Sequence, residues 1–140
     1  MKQFIVLAAV LPLMMLFLAQ YALDQRNHAA ASYLQEQVLL AGELARQEGC
    51  FTESIKNGLL EALSTGLGIP EEEIGLELTE TRRYRINYFD PSGQRGLIHY
   101  SVSVPVDRIM AGGSFLGIAA EKNRMTYTVR GTLASERLPE

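Results

Sequence analysis

The sequence contains little cysteine, few histidines and none of the short motifs that mark common enzymes. Cys50 is the one cysteine, which excludes an intrachain disulfide, and we expect its thiol to be buried. His28 and His99 lie far apart and belong to no cluster with the spacing of metal ligands. A phosphate-binding glycine loop, a nucleophile elbow and an HExxH motif are all absent. We therefore predict that the protein is not an enzyme and that it holds neither a metal nor a cofactor.

A run of basic charge is also lacking. The 140 residues carry a net charge of −3, and acidic and basic residues are interspersed. Proteins that bind nucleic acid usually need a clustered basic face, so we expect no nucleic-acid partner. Glu71, Glu72 and Glu73 are adjacent, but no further oxygen ligands follow at the spacing of a cation site. We interpret these carboxylates as part of a solvated turn.

Residues 3–23, QFIVLAAVLPLMMLFLAQYAL, contain no charge at all. About twenty apolar residues in a helix cross the hydrocarbon core of a bilayer, so this run predicts a membrane-spanning helix. The run exceeds the apolar region of a secretory signal, and no small-x-small site ends it, so we expect it to stay uncleaved. Lys2 precedes the run and Asp24 follows it, which places the remainder of the chain outside the cytoplasm. Pro12, in mid-run, predicts a helix kink.

The helical pattern continues beyond the apolar run. Residues 24–47 are rich in good helix formers, and Gly49 is the expected terminator. We therefore predict one continuous helix over residues 3–47, apolar all round in its first half and amphipathic in its second. Its apolar stripe recurs at three- and four-residue steps and comprises Ala30, Tyr33, Leu34, Val38, Ala41 and Ala45, with Leu44 at the edge.

Shorter elements follow the long helix. A second helix is predicted over residues 52–65, with Thr52 as its N-cap and Gly66 and Gly68 at its end. The apolar period then changes to two, which predicts strands at about 74–89, 97–106 and 125–133. The expected turn between the first two strands is Asp90-Pro91-Ser92-Gly93. Three such strands need a cover for their apolar face, and the two helices can supply it.

These elements predict an α+β fold: a long N-terminal helix packed on a short helix and a small three-stranded antiparallel sheet. Residues 1–23 form the apolar helix, and residues 24–140 form an extracytoplasmic head. The segment 107–124 is long for a connection and unusually apolar, so it is either a short core helix or a loop that contacts another subunit. Its apolar residues are Ile109, Met110, Phe115, Leu116 and Ile118.

An apolar N-terminal helix that runs unbroken into an amphipathic half, itself covered by a small antiparallel sheet, resembles the type IV pilin superfamily. The resemblance is carried by Phe4 to Leu23, by Asp24 to Gln47, and by the three strands that end near Leu133. The short chain and single small sheet look most like the tight-adherence (Tad-like) minor pilins or the archaeal-type pilins. Ile5 stands where many bacterial pilins carry a glutamate.

The resemblance implies a structural subunit of an extracellular type IV pilus-like filament. Its expected partners are copies of itself in a helical homopolymer, the membrane before assembly, and a pilus assembly machinery. The precursor would lie in the inner or cytoplasmic membrane with its head outside, and the assembled subunit would lie in a cell-surface filament. The predicted polymerisation core comprises Phe4, Ile5, Val6, Leu7, Val10, Leu11, Leu13, Met14, Leu16, Phe17 and Leu18.

A second interpretation is a monomeric, membrane-anchored protein that binds a partner or assists assembly on the outer face. Its binding surface would be the segment 107–124 or a sheet face bearing Arg83, Arg85 and Arg130. The same arginines also fit an ordinary solvated sheet face.

Overall fold

The structure, a computed structural model, describes residues 1–85 and 96–139. The three strands form an antiparallel sheet in the order β1-β2-β3, which confirms the predicted α+β class. The helices are α1 (Lys2–Glu48) and α2 (Glu53–Leu67), the strands are β1 (Gly75–Leu78), β2 (Leu97–Asp107) and β3 (Arg124–Ala134), and two short 3₁₀ turns cover Glu71–Glu73 and Ala120–Lys122.

The predicted long helix is confirmed. α1 continues through Pro12 without a break, and the kink there stays a prediction. Gly49 ends the helix with a left-handed φ of +86°, a conformation that glycine adopts without the steric penalty of a side chain. Its N–H donates to the carbonyl oxygen of Ala45 at 2.7 Å and so closes the last turn.

The caps of α2 follow the sequence as well. The side-chain hydroxyl of Thr52 accepts a hydrogen bond from the Ile55 N–H at 3.4 Å, as expected of an N-cap. Gly68 is the left-handed C-cap, with φ +66°. Gly66 lies inside the helix, which therefore ends at Leu67, two residues later than predicted.

The chain divides into two compact units. The helix–loop unit comprises Met1–Ala31 and Pro105–Thr126, and the core unit comprises Ser32–Val104 and Tyr127–Glu140. Three elements, α1, β2 and β3, therefore contribute to both units.

The hydrophobic core lies in the core unit, where the second half of α1, the helix α2 and the sheet meet. The predicted stripe on α1 supplies the side chains of Leu34, Val38, Ala41 and Ala45. Fully burying a side chain of the size of leucine stabilises the fold by about 1.5–3 kcal/mol, so these contacts hold the unit together. Leu44, predicted at the edge of the stripe, is 53% exposed. The other buried core residues are Phe51, Leu59, Leu63, Ile74, Ile98, Val102 and Val104.

The sheet confirms two predicted strands and corrects the third. β1 pairs with β2 with Leu76 opposite Val102, but it ends at Leu78 and does not continue through residues 79–85. Past the strand the backbone bonds other segments, because the Arg83 N–H donates to the carbonyl of Gly49 and the Arg85 N–H to that of Arg137. Residues 86–89 and the expected turn at 90–93 lie outside the described part of the chain.

One residue of β3 departs from its predicted face. Tyr127 and Val129 are half-buried against the core, as the alternation predicts. Met125, expected on the same face, is 48% exposed. It belongs to the part of β3 that lies in the helix–loop unit, whereas the core unit begins at Tyr127.

Exposed ion pairs connect the end of α1 with the C-terminal segment. Arg46 pairs with Glu136 and with Glu43, and Arg137 pairs with Glu48 at 3.2 Å. The hydrogen bond that Arg46 donates to the Glu43 carboxylate and the negative charge of Glu136 raise the pKa of Arg46. Arginine is protonated at any physiological pH, so this shift leaves the charge of the pair unchanged.

Two glycines of α2 give a matched test of the packing. A Cβ at Gly66 would overlap the ring of Tyr33, which is held in place because its hydroxyl donates to the Ala62 carbonyl at 3.0 Å. We expect Gly66→Ala to destabilise the fold by about 1–3 kcal/mol through overpacking. At Gly58 no atom lies within 4 Å of the added methyl, so Gly58→Ala should stabilise by about 0.5–1 kcal/mol. Denaturant unfolding of the full chain in detergent micelles measures both, and a stabilisation of the same size in both variants would contradict the described contact.

Candidate membrane and assembly surface

The first half of α1 exposes large apolar side chains around most of its circumference within the helix–loop unit. No side chain of its apolar run, residues 3–23, is fully buried. The helix is long and apolar enough to cross a membrane. Contiguous exposed apolar surfaces of this size are typical of sites that associate with lipid or protein, because water is a poor solvent for them.

The predicted polymerisation core maps onto this surface. Leu16 is half-buried, and the other members, Phe4, Ile5, Val6, Leu7, Val10, Leu11, Leu13, Met14, Phe17 and Leu18, are all exposed. Their accessibility fits contact with a bilayer or with neighbouring helices, and their role in polymerisation stays a prediction.

Leu16 is partly covered because the β2–β3 loop, residues 108–123, lies against α1 in the same unit. Gly112 of this loop has a left-handed φ of +69°, and a Cβ there would lie 2.8 Å from Cδ2 of Leu16. Glycine is therefore required at this position both by its backbone conformation and by the close approach of the helix.

Gln20 joins the loop to the helix through both ends of its amide. The amide oxygen accepts from the Ala111 N–H at 2.8 Å, and the amide nitrogen donates to the Ile109 carbonyl at 3.0 Å. The same nitrogen donates to Oδ1 of Asp24, one turn further along α1, at 2.8 Å. Two turns beyond Gln20, the side-chain amide of Asn27 donates to the Arg108 carbonyl at 3.2 Å.

Sequence reasoning did not assign a role to Gln20 or Asn27, although a signal is present. Gln20 is a polar side chain near the end of an otherwise apolar run, where an unpaired amide would be costly. Leu16, Gln20 and Asn27 are spaced by four and seven residues, and such spacing places them on one face of a helix. That face is the one the loop covers.

The loop has an ordered base. Asn123 is buried, with 9% of its surface exposed. Its side-chain oxygen accepts from the Met110 N–H at 2.7 Å, and its side-chain nitrogen donates to the Met110 carbonyl at 2.9 Å. Its own backbone carbonyl accepts from the Arg108 N–H at 2.9 Å. Asp107 and Arg124, at the two ends of the loop, form an ion pair. The loop is therefore closed by specific polar contacts at the point where it leaves the sheet.

The structure excludes one of the two predictions for the segment 107–124. The short core helix is wrong, because residues 111–117 form turns and the one regular piece is the 3₁₀ turn Ala120–Lys122. Gly112 and Gly117 both take left-handed φ values, which a helix does not allow. Most apolar side chains of the segment are instead exposed: Phe115 is 87% and Leu116 55% accessible, Ile109 and Met110 are also exposed, and Ile118 is half-buried.

The core unit carries a second, smaller apolar feature. Leu39, Leu40 and Leu44 of α1 are large apolar side chains that are each more than half exposed. A groove of about 240 Å³ runs between α1 and α2, and its lining includes Leu40, Leu44, Ile55 and Gly58. The groove is open to solvent and mainly apolar, so it can accept an apolar side chain of a partner.

The predicted arginine face does not form as a single sheet face. Arg83 and Arg85 lie outside the strands, whereas Arg130 is on β3. Arg130 borders a shallow surface depression of about 620 Å³ together with Glu77, His99 and Thr132. Nδ1 of His99 lies 2.9 Å from the Thr132 hydroxyl.

The described residues contain no metal-binding cluster and no exposed thiol. Within residues 1–85 and 96–139, no group of three or more His, Cys, Asp or Glu side chains is arranged to hold a metal ion. The thiol of Cys50 is buried, as predicted.

No protein-family model, curated protein or solved structure matches the chain. The resemblance to type IV pilins therefore rests on architecture alone: an exposed apolar helix whose second half is packed under a small antiparallel sheet.

The contacts of Gln20 can be tested by substitution. Gln20→Leu removes two hydrogen bonds to the loop while keeping the helix apolar, and each bond contributes about 1 kcal/mol. We expect hydrogen exchange at the Ala111 amide, with the full chain in detergent micelles, to become about 5–30 times faster. Gln3→Leu is the matched control, since it makes the same change at an exposed position of the same helix. Equal exchange rates in Gln20→Leu and the unmodified chain would contradict the proposed role of this amide.

Proposed function

We propose that the protein is a structural subunit of an extracellular type IV pilus-like filament and that it polymerises through the first half of α1. The observation that carries the proposal is the division of one uninterrupted helix into two environments. Its first half exposes large apolar side chains around most of its circumference, whereas its second half supplies Leu34, Val38 and Ala45 to a folded core. Such a helix couples a folded, solvent-exposed unit to an apolar surface that requires a partner.

The same surface suits both stages of the proposed assembly. In the precursor, residues 4–23 lie in the membrane, with the remainder of the chain outside the cytoplasm. Moving these side chains into water would cost about 1.5–3 kcal/mol for each large apolar residue. Transfer from lipid into a bundle of identical helices exchanges one apolar environment for another, so it avoids most of this cost.

Packing then decides the association, since no hydrophobic driving force distinguishes lipid from a neighbouring helix. Ala8, Ala9 and Ala19 allow helix backbones to approach closely, and larger residues such as Phe17 fill the space between them. A head-to-tail interface of this kind joins two different surfaces and generates an open helical array instead of a closed ring. The partners are other copies of the chain, the membrane before assembly, and a machinery that extracts the subunits. We infer that the protein acts by binding and polymerisation, without catalysis.

One observation favours a second candidate function, a monomeric membrane-anchored protein that binds a partner outside the cytoplasm. The groove between α1 and α2, with Leu40 and Leu44 on its rim, offers an apolar binding surface in the core unit. This candidate uses α1 as a permanent anchor. It predicts monomers in mild detergent and no filaments by negative-stain electron microscopy of material sheared from cells.

The two candidates are separated by one substitution in the apolar helix. Leu11→Asp introduces a charge that costs about 2.5–3.5 kcal/mol at the centre of a membrane helix. In a polymer the same cost recurs at every subunit, so we expect the yield of sheared filaments to be lost. Leu11→Met is the control, because it keeps the volume and the apolar character.

Membrane fractionation accompanies the microscopy, so that a failure of insertion is distinguished from a failure of assembly. Leu11→Asp protein that remains in the membrane fraction but forms no filaments supports the filament proposal. A normal filament yield from Leu11→Asp, with the protein present in the membrane, would exclude a buried helical bundle at this residue.

A further inference from the structure

We propose that the β2–β3 loop is a membrane-interface element whose tip, Phe115 and Leu116, enters the outer boundary of the bilayer beside α1. The occupant of this apolar surface is lipid. The inference rests on the membrane-resident precursor of the proposed function, but it does not depend on filament assembly.

The position of the loop along α1 is the first argument. Leu16, Gln20 and Asn27 are its contact points, and the first two lie within the uncharged run that ends before Asp24. At 1.5 Å per residue, Leu16 is about 10 Å along the helix axis from Leu23. Interfacial apolar elements lie about 5–10 Å deep in the headgroup and acyl boundary. A helix that crosses the bilayer with residues 3–23 therefore brings the loop to this depth.

The distribution of charge gives the second argument. Residues 109–120 of the loop, IMAGGSFLGIAA, contain no charge. Charged residues resume on both sides of this stretch, with Asp107 and Arg108 before it and Glu121 and Lys122 after it. The charges of the loop thus end at Arg108 and Glu121, on the two sides of its uncharged stretch. In the same way, the uncharged run of α1 is bounded by Asp24.

The backbone of the tip supplies the third argument. The N–H groups of Leu116, Gly117 and Ile118 donate to loop carbonyls at 3.1, 3.2 and 2.8 Å. In lipid an unpaired backbone N–H is costly, since no water is present to replace the bond. The tip pairs these donors within itself, and the side chain of Phe115 is 87% exposed. Paired backbone donors and an exposed apolar side chain are the two properties that the bilayer boundary requires.

Tryptophan fluorescence tests the proposal directly, because the sequence contains no tryptophan. Phe115→Trp replaces one exposed aromatic residue with another and gives the full chain a single probe at the tip. Phe17→Trp places the probe on the exposed apolar helix, and Glu121→Trp places it at the charged end of the same loop. Each variant is reconstituted into phosphatidylcholine–phosphatidylglycerol vesicles with and without brominated acyl chains.

We expect the Phe115→Trp emission to shift to shorter wavelength and to lose most of its intensity in brominated vesicles, as Phe17→Trp does. Glu121→Trp should instead keep its intensity there and be quenched by aqueous iodide. Quenching at Phe17→Trp with none at Phe115→Trp would overturn the loop proposal and leave the membrane-resident helix standing. Quenching at neither position would overturn both. Energy transfer from Phe115→Trp to an acceptor-labelled second copy, without bromine quenching, would assign the tip to a protein contact and also overturn the proposal.

Discussion

The exposed leucine, phenylalanine and methionine side chains of the first half of α1 have to be covered by an apolar partner. The same helix continues into the core unit, where its second half supplies Leu34, Val38 and Ala45 to the core. Burial of these residues stabilises the second half of α1, because a helix in a folded protein depends on tertiary packing more than on propensity. The apolar half is thereby held on a helix that the folded unit already supports.

Gln20 shows how a polar residue is accommodated at the edge of such a run. Its amide would be costly if left unpaired in an apolar environment. The carbonyl of Ile109 and the N–H of Ala111 bond the two ends of that amide, and the carboxylate of Asp24 accepts a further bond. Glycine at position 112 then lets the loop backbone approach Leu16. The polar groups of the loop and of the helix therefore bond one another, and most apolar side chains of the loop are exposed.

Features that depend on neighbouring residues were predictable from the sequence. Capping preferences predict the roles of Thr52 and Gly49 at helix ends, and a period of 3.6 residues predicts the stripe from Leu34 to Ala45. Both signals are local in the sequence. The hydrogen bond between Gln20 and Ala111 joins residues far apart in the chain, so no local sequence pattern predicts it. The strand predicted over 74–89 stops at Leu78, and the N–H groups of Arg83 and Arg85 bond Gly49 and Arg137 instead of β2, which alternation alone does not reveal. Met125 likewise follows the alternation of its strand but lies where the core does not extend.

The proposed membrane contact of the loop constrains the proposed assembly. If Phe115 and Leu116 lie in lipid in the precursor, extraction of α1 into a filament removes their cover as well as that of the helix. Lipid then has to be replaced by protein at both surfaces, or the exposed tip disfavours extraction by the transfer cost of two large apolar side chains. Since Gln20 and Asn27 hold the loop to α1, the tip moves with the helix and stays beside residues that would enter the bundle. In the proposed filament, a neighbouring subunit that covers the helix would therefore have to present a complementary apolar surface to the loop, and the loop would then help determine which subunits fit together.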